Sequence, residues 1–316
     1  MNKIPKVKTK DLLSVTDFSK EEILSIFEFS KKMKMELKQG KTHSYLHGKT
    51  LGMIFEKTST RTRVSFEVGM FQLAGYALFL SRDDIQLGRG ETVADTAKVL
   101  SRYLDGIMIR CYSHSTAVEL AYNATIPVIN GLTDIFHPCQ ALSDFFTIYE
   151  HNKTFKNVKL AFVGDGNNVA QSLMLTAAML GVDFALACPK GYYPKKEVVE
   201  QAFSIASKSG SVITLTSDIT LAVENATYLY TDVWVSMGQE KEASRRKKDF
   251  VKYKITKKIL DKCAPECKVM HCLPAHRGEE ITDEVIDSPH SIVLDQAENR
   301  LHVQKAILCA LMMNKR

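Results

Sequence analysis

The sequence predicts an α/β protein of two doubly wound parallel-sheet domains with a cleft between them. Three observations predict it. Short apolar runs of strand length alternate with longer stretches of helical period, the pattern of βα units feeding a parallel sheet. The alternation is broken once, by the polar stretch 151–157, and then resumes. A chain of 316 residues also exceeds what one hydrophobic core ordinarily organises, so two domains are expected, 1–150 and 151–316.

Each element has its own signal. Ser19 with Glu22 reads as a capping box, and Ile23, Ile26, Phe27 and Met33 mark one face of a first helix that Gly40 closes. Residues 51–55 are a buried strand. Val64, Phe66, Met70 and Leu73 recur at helical spacing after it, with Ser59 or Thr60 as the cap and Gly75 as the stop. Residues 76–80 are a strand, and 81–90 a mobile polar loop with two glycines. Thr92 with Asp95 restarts a helix through Val99 and Leu104, and strand 107–109 ends at Arg110. A helix near 116–122, strand 127–130, the loop His137-Pro138-Cys139-Gln140 and helix 141–149 complete the first domain. In the second, strands are expected at 159–163, 184–187, 212–215, 228–230, 268–270 and 292–294. Helices are expected at 169–180, stopped by Gly181, at 197–207 and 219–224, and in the amphipathic segment 303–313.

Composition narrows the function classes. Hydrophobic content of 45% is that of a globular protein, and no apolar run approaches the ~20 residues of a membrane span. The basic start is not followed by an apolar signal core. Seven cysteines, an odd number in a long chain, fit a reducing cytoplasm rather than a disulfide framework. A net charge of +6 suits anionic small substrates and is too small and scattered to argue for nucleic acid.

The chain is organised around the turn 55–63, Phe-Glu-Lys-Thr-Ser-Thr-Arg-Thr-Arg. It leaves a buried strand and opens a helix, where free backbone N–H groups and the positive end of the helix dipole favour an anion. Hydroxyls and arginines add donors that suit a phosphate. A capped surface helix with solvated arginines is the alternative, and the place at a strand's carboxyl end argues against it. Arg110, His137 and Gln140 also follow strands, and together offer donors for a carbonyl oxygen that gathers negative charge. Gly164-Asp165-Gly166-Asn167-Asn168-Val169 resembles half a dinucleotide fingerprint, but its third glycine position is Val169 and no ribose-binding acid follows strand 184–187. A turn that presents asparagines, or a turn with no ligand, fits better. Asp232 could hold a substrate ammonium, with Trp234 as an anchor and Gly238 as a hinge. The run 244–248 reads as a solvated basic loop, without the interleaved aromatics of a nucleic-acid surface. In His271-Cys272-Leu273-Pro274, Cys272 could be a nucleophile or orient an amine. Cys263, Cys267, His271 and Cys272 match no zinc spacing. Asn299-Arg300 precedes the last helix, either as surface residues or as a further phosphate or carbonyl contact.

These motifs resemble a family. Phe-Glu-Lys-Thr-Ser-Thr-Arg-Thr is similar to the carbamoyl-phosphate signature of the aspartate/ornithine carbamoyltransferases, and His-Pro-Cys-Gln to their His-Pro-x-Gln. Asp232 with Ser236-Met237-Gly238, and His271-Cys272-Leu273-Pro274, resemble the ornithine branch rather than the aspartate branch. Order and spacing agree from about Leu12 onward. The resemblance implies transfer of a carbamoyl group from carbamoyl phosphate to the δ-amine of L-ornithine, giving citrulline and phosphate, in arginine biosynthesis. It implies no metal or organic cofactor, and a cytoplasmic homotrimer with active sites at subunit interfaces. It implies that the last helix, about 300–316, returns to the first domain. By motif, Ser59, Thr60, Arg61 and Thr62 bind the phosphate. Arg110, His137 and Gln140 hold the carbamoyl end, completed by Cys272, Leu273 and Arg300. Gln86 reaches carbamoyl phosphate across the subunit interface. Asn168, Asp232, Ser236 and Met237 contact ornithine, with Asn167 one place from Asn168. The catalytic set is Arg110, His137, Cys272 and Arg300, and the loop 236–248 closes over the substrates. Transfer to aspartate, putrescine or N-acetylornithine, a non-catalytic phosphometabolite-binding role, and RNA binding through 245–248 are the alternatives.

Overall fold

Aliphatic and β-branched runs become strands, and each is followed by a helix that covers a face of its sheet. The computed structural model describes residues 4–86, 90–236 and 238–313. In chain order the elements are α1 (Lys20–Lys38), β1 (Thr50–Phe55), α2 (Thr60–Gln72), β2 (Tyr76–Ser81), α3 (Val93–Tyr103), β3 (Gly106–Arg110), α4 (His114–Asn123), β4 (Val128–Leu132) and α5 (Pro138–Asn152). There follow β5 (Lys159–Val163), α6 (Asn168–Leu180), β6 (Asp183–Ala187), α7 (Lys196–Ser209), β7 (Ile213–Thr216), α8 (Ile219–Val223), β8 (Tyr228–Thr231), α9 (Ala243–Phe250), α10 (Lys257–Leu260), β9 (Lys268–His271), α11 (Asp283–Ile286) and α12 (Val293–Met312). The chain divides into two units, Met1–Phe146 with Glu298–Arg316, and Thr147–Ala297.

The first unit carries a parallel sheet in the order β2-β1-β3-β4. Its connections turn one way from β1 to β2 and the other way from β3 to β4, so the strand order reverses between β1 and β3. Crevices at the carboxyl ends of such strands are where open α/β sheets take ligands. Leu12 pairs with Ile129 beyond β4 and so covers that edge. Ile54, Ile107, Ile109, Ala117, Leu120 and Val128 form a core between sheet and helices. The second unit carries a parallel sheet in the order β7-β6-β5-β8-β9, with its reversal between β5 and β8. Its core gathers Ala161, Val163, Leu229, Trp234, Phe250 and Val269.

The caps at Ser19, Ser59, Thr92 and Gly181 form as expected. Several readings are corrected. Val64 is half exposed, so only Phe66, Met70 and Leu73 serve the core. Helix α2 stops at Gln72, and the left-handed residue after it is Ala74, at φ 60°, rather than Gly75. His137-Pro138-Cys139-Gln140 is not a loop: α5 begins at Pro138, because a proline at the first helical position gives up an N–H that has no partner in the helix. Residues 292–294 are no strand. Ser291 makes a single bridge to Val269, and Val293 already opens α12, three apolar residues being too few to separate strand from helix. The last helix is also not amphipathic, since residues 302–312 are all buried. Residues 240–250 are helical rather than a loop, and Arg246 is buried there.

Candidate active site

Sheet register sets the cluster of the first unit. Phe55 at the end of β1 pairs with Arg110 at the end of β3, and the Glu56 N–H donates to the Arg110 carbonyl at 2.9 Å. The turn 56–59 therefore rises beside Arg110. Ser59, extended at φ −165°, caps α2 by accepting the Thr62 N–H at 3.2 Å. The first turn of α2 holds no acidic residue, so nothing offsets its positive end there. Thr60 is exposed and Arg61 half-buried at that end. Arg63 points elsewhere: it pairs with Glu67 at 3.0 Å and lies 3.8 Å from the centre of the Phe79 ring.

Arg300, on α12, is buried among these groups. Its guanidinium donates to Gln140 Oε1 at 2.5 Å, to Thr62 Oγ1 at 3.2 Å and to Gln304 Oε1 at 2.9 Å. Gln304 in turn donates to Ser65 Oγ at 2.8 Å, and Gln140 donates to Asp144 Oδ1 at 2.8 Å. The planar fork of the arginine thus joins α2, α5 and α12. The His137 carbonyl accepts the N–H groups of Gln140 and Ala141, which places its ring at the start of α5. Burial, and then the charges of Arg300, Arg110 and Arg61, hold His137 well below the usual histidine range, so the ring is neutral at physiological pH. A neutral imidazole among arginines can donate one N–H to an oxygen that becomes negative. Burial and Arg110 also lower the Lys57 pKa, and its ammonium lies 4.3 Å from the centre of the Tyr112 ring. An open cavity of about 690 Å³ borders the turn 56–59, lined among others by Lys57, Ser59, Thr60, Arg63, Arg82 and Tyr112. Gln86 is exposed beyond it.

The second unit has its own cluster, at the reversal of its sheet. Asn167 caps α6 by accepting from Val169 N and Ala170 N, each at 3.0 Å. Its amide donates to Asp232 Oδ2 at 2.7 Å, just past the end of β8. Asp232 Oδ1 accepts the Val233 N–H at 2.8 Å and the Cys272 thiol at 2.9 Å. Asn168 is the first residue of α6 and is half-buried, as are Ser236 and Cys272. Met237 lies outside the described residues. The glycine-rich turn has a packing explanation: a Cβ on Gly166 would come within 2.5 Å of the Pro194 nitrogen, and the Gly166 N–H donates to the Tyr192 carbonyl. Asp165 in that turn pairs with Arg246 at 2.8 Å. Arg246 also donates to the Trp234 carbonyl at 3.0 Å, so α9 is tied to the segment after Asp232.

Among the described residues two groups of side chains offer ligand atoms within 4.8 Å of one another, Asp232 with His271 and Cys272, and His276 with Glu279 and Glu280. In the first, His271 is hydrogen-bonded through both ring nitrogens, to the Leu273 N–H and to Glu280. Asp232 is bonded through both oxygens, so a metal would have to displace bonds already made. Cys263 and Cys267 belong to neither group, and the Cys267 thiol contacts the Lys268 carbonyl at 3.7 Å.

The structure thus brings Thr62, Gln140 and Arg300 into direct contact and places Arg110 and Arg61 within electrostatic reach of His137. It joins Asp232 to Cys272. Asn167, Asp165, Arg246 and Gln304 are supporting residues that sequence reasoning did not assign. Asn167 carried the available signal, as the residue just before the helix.

Comparison with known proteins gives a consistent outcome. Residues 10–150 match the family model described as the carbamoyl-P binding domain of aspartate/ornithine carbamoyltransferase, and residues 156–311 its Asp/Orn binding domain. The anabolic ornithine carbamoyltransferase of Pyrococcus furiosus is 55% identical over 303 residues, 96% of each chain. The ornithine carbamoyltransferase of Bacillus thuringiensis is 54% identical, over 98% of this chain and 96% of its own. Among solved structures, ornithine carbamoyltransferase from Pyrococcus furiosus superposes with a TM-score of 0.94 at 54% identity, covering 97% of this chain and 98% of its own. Anabolic ornithine carbamoyltransferase from Campylobacter jejuni does so at 0.91 with 42% identity, covering 96% and 99%.

Proposed function

The chain belongs to the aspartate/ornithine carbamoyltransferase family, and from that premise we propose that it transfers the carbamoyl group of carbamoyl phosphate to the δ-amine of L-ornithine. The products are L-citrulline and phosphate. The C–N bond forms, the C–O bond to phosphate breaks, and an amine proton is released. The biosynthetic direction is supported by the relatives called anabolic.

One observation carries the reading: the buried Arg300 fork on Thr62 of α2 and Gln140 of α5, with a neutral His137 at the start of α5. In this proposal Ser59, Thr60, Arg61 and Thr62 take the phosphate with the N–H groups of α2, and Gln86 belongs to a neighbouring subunit's site. Arg110 and His137 donate to the carbonyl oxygen, Gln140, Cys272 and Leu273 hold the carbamoyl end, and Arg61 and Arg300 stabilise the leaving phosphate. Removing one such donor costs on the order of 10²–10³-fold in rate. Asp232 takes the α-ammonium, with Asn168, Ser236 and Met237 around ornithine. The δ-amine must be neutral to attack, against an ordinary amine pKa of about 10, and the arginines of the phosphate site disfavour an ammonium near the carbonyl.

The working enzyme in this proposal is a homotrimer of the cytoplasm. The first unit exposes Phe71, Tyr76, Tyr103 and Tyr122, large apolar side chains of the kind that subunit contacts cover. All seven cysteines are free, in keeping with a reducing compartment. Among the described residues no helix is long and apolar enough to cross a membrane.

The test is citrulline formation from carbamoyl phosphate and L-ornithine by the purified protein, in parallel with aspartate, putrescine and N-acetylornithine. Turnover with ornithine alone is expected. Silence with ornithine and turnover of another amine would move the specificity and leave the carbamoyl half in place.

A further inference from the structure

The turn that presents Cys272 and Leu273 is held by residues outside the substrate set. His271 ends β9, and its side chain is fully buried, as is that of Glu280. The Leu273 N–H donates to His271 Nδ1 at 2.8 Å. That nitrogen must therefore carry a lone pair, which puts the ring proton on Nε2. Nε2 faces Glu280 Oε1 at 3.1 Å and donates to it. The same oxygen accepts the His276 N–H at 2.6 Å. One carboxylate oxygen thus ties together residues 271 and 276, the two ends of the turn 272–275. Inside it, Leu273 sits at φ 57°, in the left-handed region that disfavours a non-glycine residue. The backbone His271 N–H is itself fixed on Gln296 Oε1 at 2.9 Å.

We propose that Glu280 and His271 are positioning residues for carbamoyl transfer: Glu280 fixes the tautomer and angle of His271, and His271 Nδ1 holds the Leu273 N–H so that Cys272 and Leu273 face the substrates. Neither residue touches substrate. The inference rests on the function proposed above. It deepens that reading by adding a layer behind the Cys272–Leu273 contacts. Misplacing a reacting group by about 1 Å can cost on the order of 10²-fold in rate, so loosening this turn should appear in kcat. The phosphate groups Ser59, Thr60 and Arg61 do not depend on it, so the KM for carbamoyl phosphate should hold.

Side-chain mimicry separates the two links. In His271→Asn the amide oxygen can stand where Nδ1 stood and accept the Leu273 N–H. In His271→Gln the amide nitrogen stands nearer Nε2 and can reach Glu280 but not Leu273. The expected result is that His271→Asn keeps kcat within about threefold and His271→Gln loses at least tenfold. The carbamoyl phosphate KM should change less than threefold in both. Glu280→Gln, which keeps an acceptor oxygen for both donors, should stay within about threefold, and Glu280→Ala should fall at least tenfold. Should Glu280→Ala not fold, the two His271 variants and Glu280→Gln still decide. Equal kcat for His271→Asn and His271→Gln would overturn the proposal, as would a raised KM with kcat intact. Hydrogen exchange at the Leu273 amide gives a reading that needs no turnover: protection should survive in His271→Asn and drop at least tenfold in His271→Gln. A wild-type protein that makes no citrulline would sink the proposed function, and the exchange comparison would still show whether His271 holds the turn.

Discussion

Replacing Arg246 by methionine should destabilise the second unit by about 3–5 kcal/mol at pH 7, because it strips a buried acid of its partner. The Arg246 guanidinium pairs with Asp165 at 2.8 Å and donates to the Trp234 carbonyl at 3.0 Å, and only 7% of either charged side chain is exposed. It also lies 5.0 Å from the centre of the Tyr192 ring. Methionine keeps the apolar stem and removes the charge. Asp165 already has its pKa raised to about 6, first by burial, with Asp232 and Glu242 adding to the rise and Arg246 opposing it. Without the arginine it must rise further. The sign follows from linkage. A carboxyl whose folded pKa exceeds its unfolded value binds a proton that the unfolded chain releases. Stability therefore falls as pH climbs from about 4 to the folded pKa and is flat above it. In the wild type that fall ends near pH 6. In the variant it continues past neutrality, so the gap between the two proteins widens by on the order of 1.4 kcal/mol per pH unit above about 6. Trp234 is the only tryptophan, and its carbonyl is one of the lost acceptors, so its fluorescence during urea unfolding reports this region directly. Titrations at pH 5 and pH 7 decide the matter. A cost below about 1 kcal/mol at pH 7, or an equal cost at both pH values, would refute the argument. Adding Asp165→Asn to the variant should recover more than half of the loss.

Arg110→Ala is expected to lower kcat on the order of 10²-fold with citrulline as the readout, and a near-normal kcat would remove it from the carbonyl site. Asp232→Ala should raise the ornithine KM at least tenfold while the KM for carbamoyl phosphate holds, and an unchanged ornithine KM would withdraw its role. Ser59→Ala should cost about 1 kcal/mol of stability through the lost cap and weaken phosphate inhibition, measured by urea unfolding and by product inhibition. His43, His137 and His302 all have lowered pKa values, His302 to about 4, with burial the largest cause in each. Each takes up its proton at lower pH in the folded protein than in the unfolded chain. Stability is therefore complete above about 6.5 and lost as pH falls, His302 alone contributing on the order of 3 kcal/mol by pH 4. His302→Gln should flatten the acid limb of a Tm-against-pH curve, and an unchanged limb would count against it.

How much was legible depended on whether a signal was local. The caps at Ser19, Ser59 and Thr92 read correctly because a cap is a contract between residues three apart. The parallel sheets read correctly because the apolar runs were bounded by turn residues and separated by helical stretches. Arg110 and Asp232 were singled out because strand ends are where such folds place ligand groups, and they do stand at the end of β3 and just past β8. What failed was set at a distance. Arg246 looked like one more charge in a basic run, since its partner Asp165 lies 81 positions away. The all-round burial of residues 302–312 in α12 was hidden by Gln304 and Lys305, which on sequence belong to a solvent face. The structure satisfies them with Ser65 and Gln72, at 2.8 and 3.0 Å. Pro138 misled because proline is read as a breaker, although at the first helical position it loses nothing.

The two units also sort charge in a way that bears on the chemistry. In the first, the buried cation Arg300 is oriented by Gln140, Thr62 and Gln304, all neutral acceptors, and a neutral His137 stands among arginines. In the second, the acid that could be neutralised, Asp165, is taken up by Arg246. Asp232 is held instead by the Asn167 amide, the Val233 N–H and the Cys272 thiol, donors that fix its angle. A carboxylate has about four lone-pair positions, and these donors occupy three. The weakest of them is the thiol, so an arriving ammonium can take the open position or displace the S–H bond. In the proposed function the anionic substrate goes to the arginine cluster of the first unit and the amino group of the second substrate to Asp232.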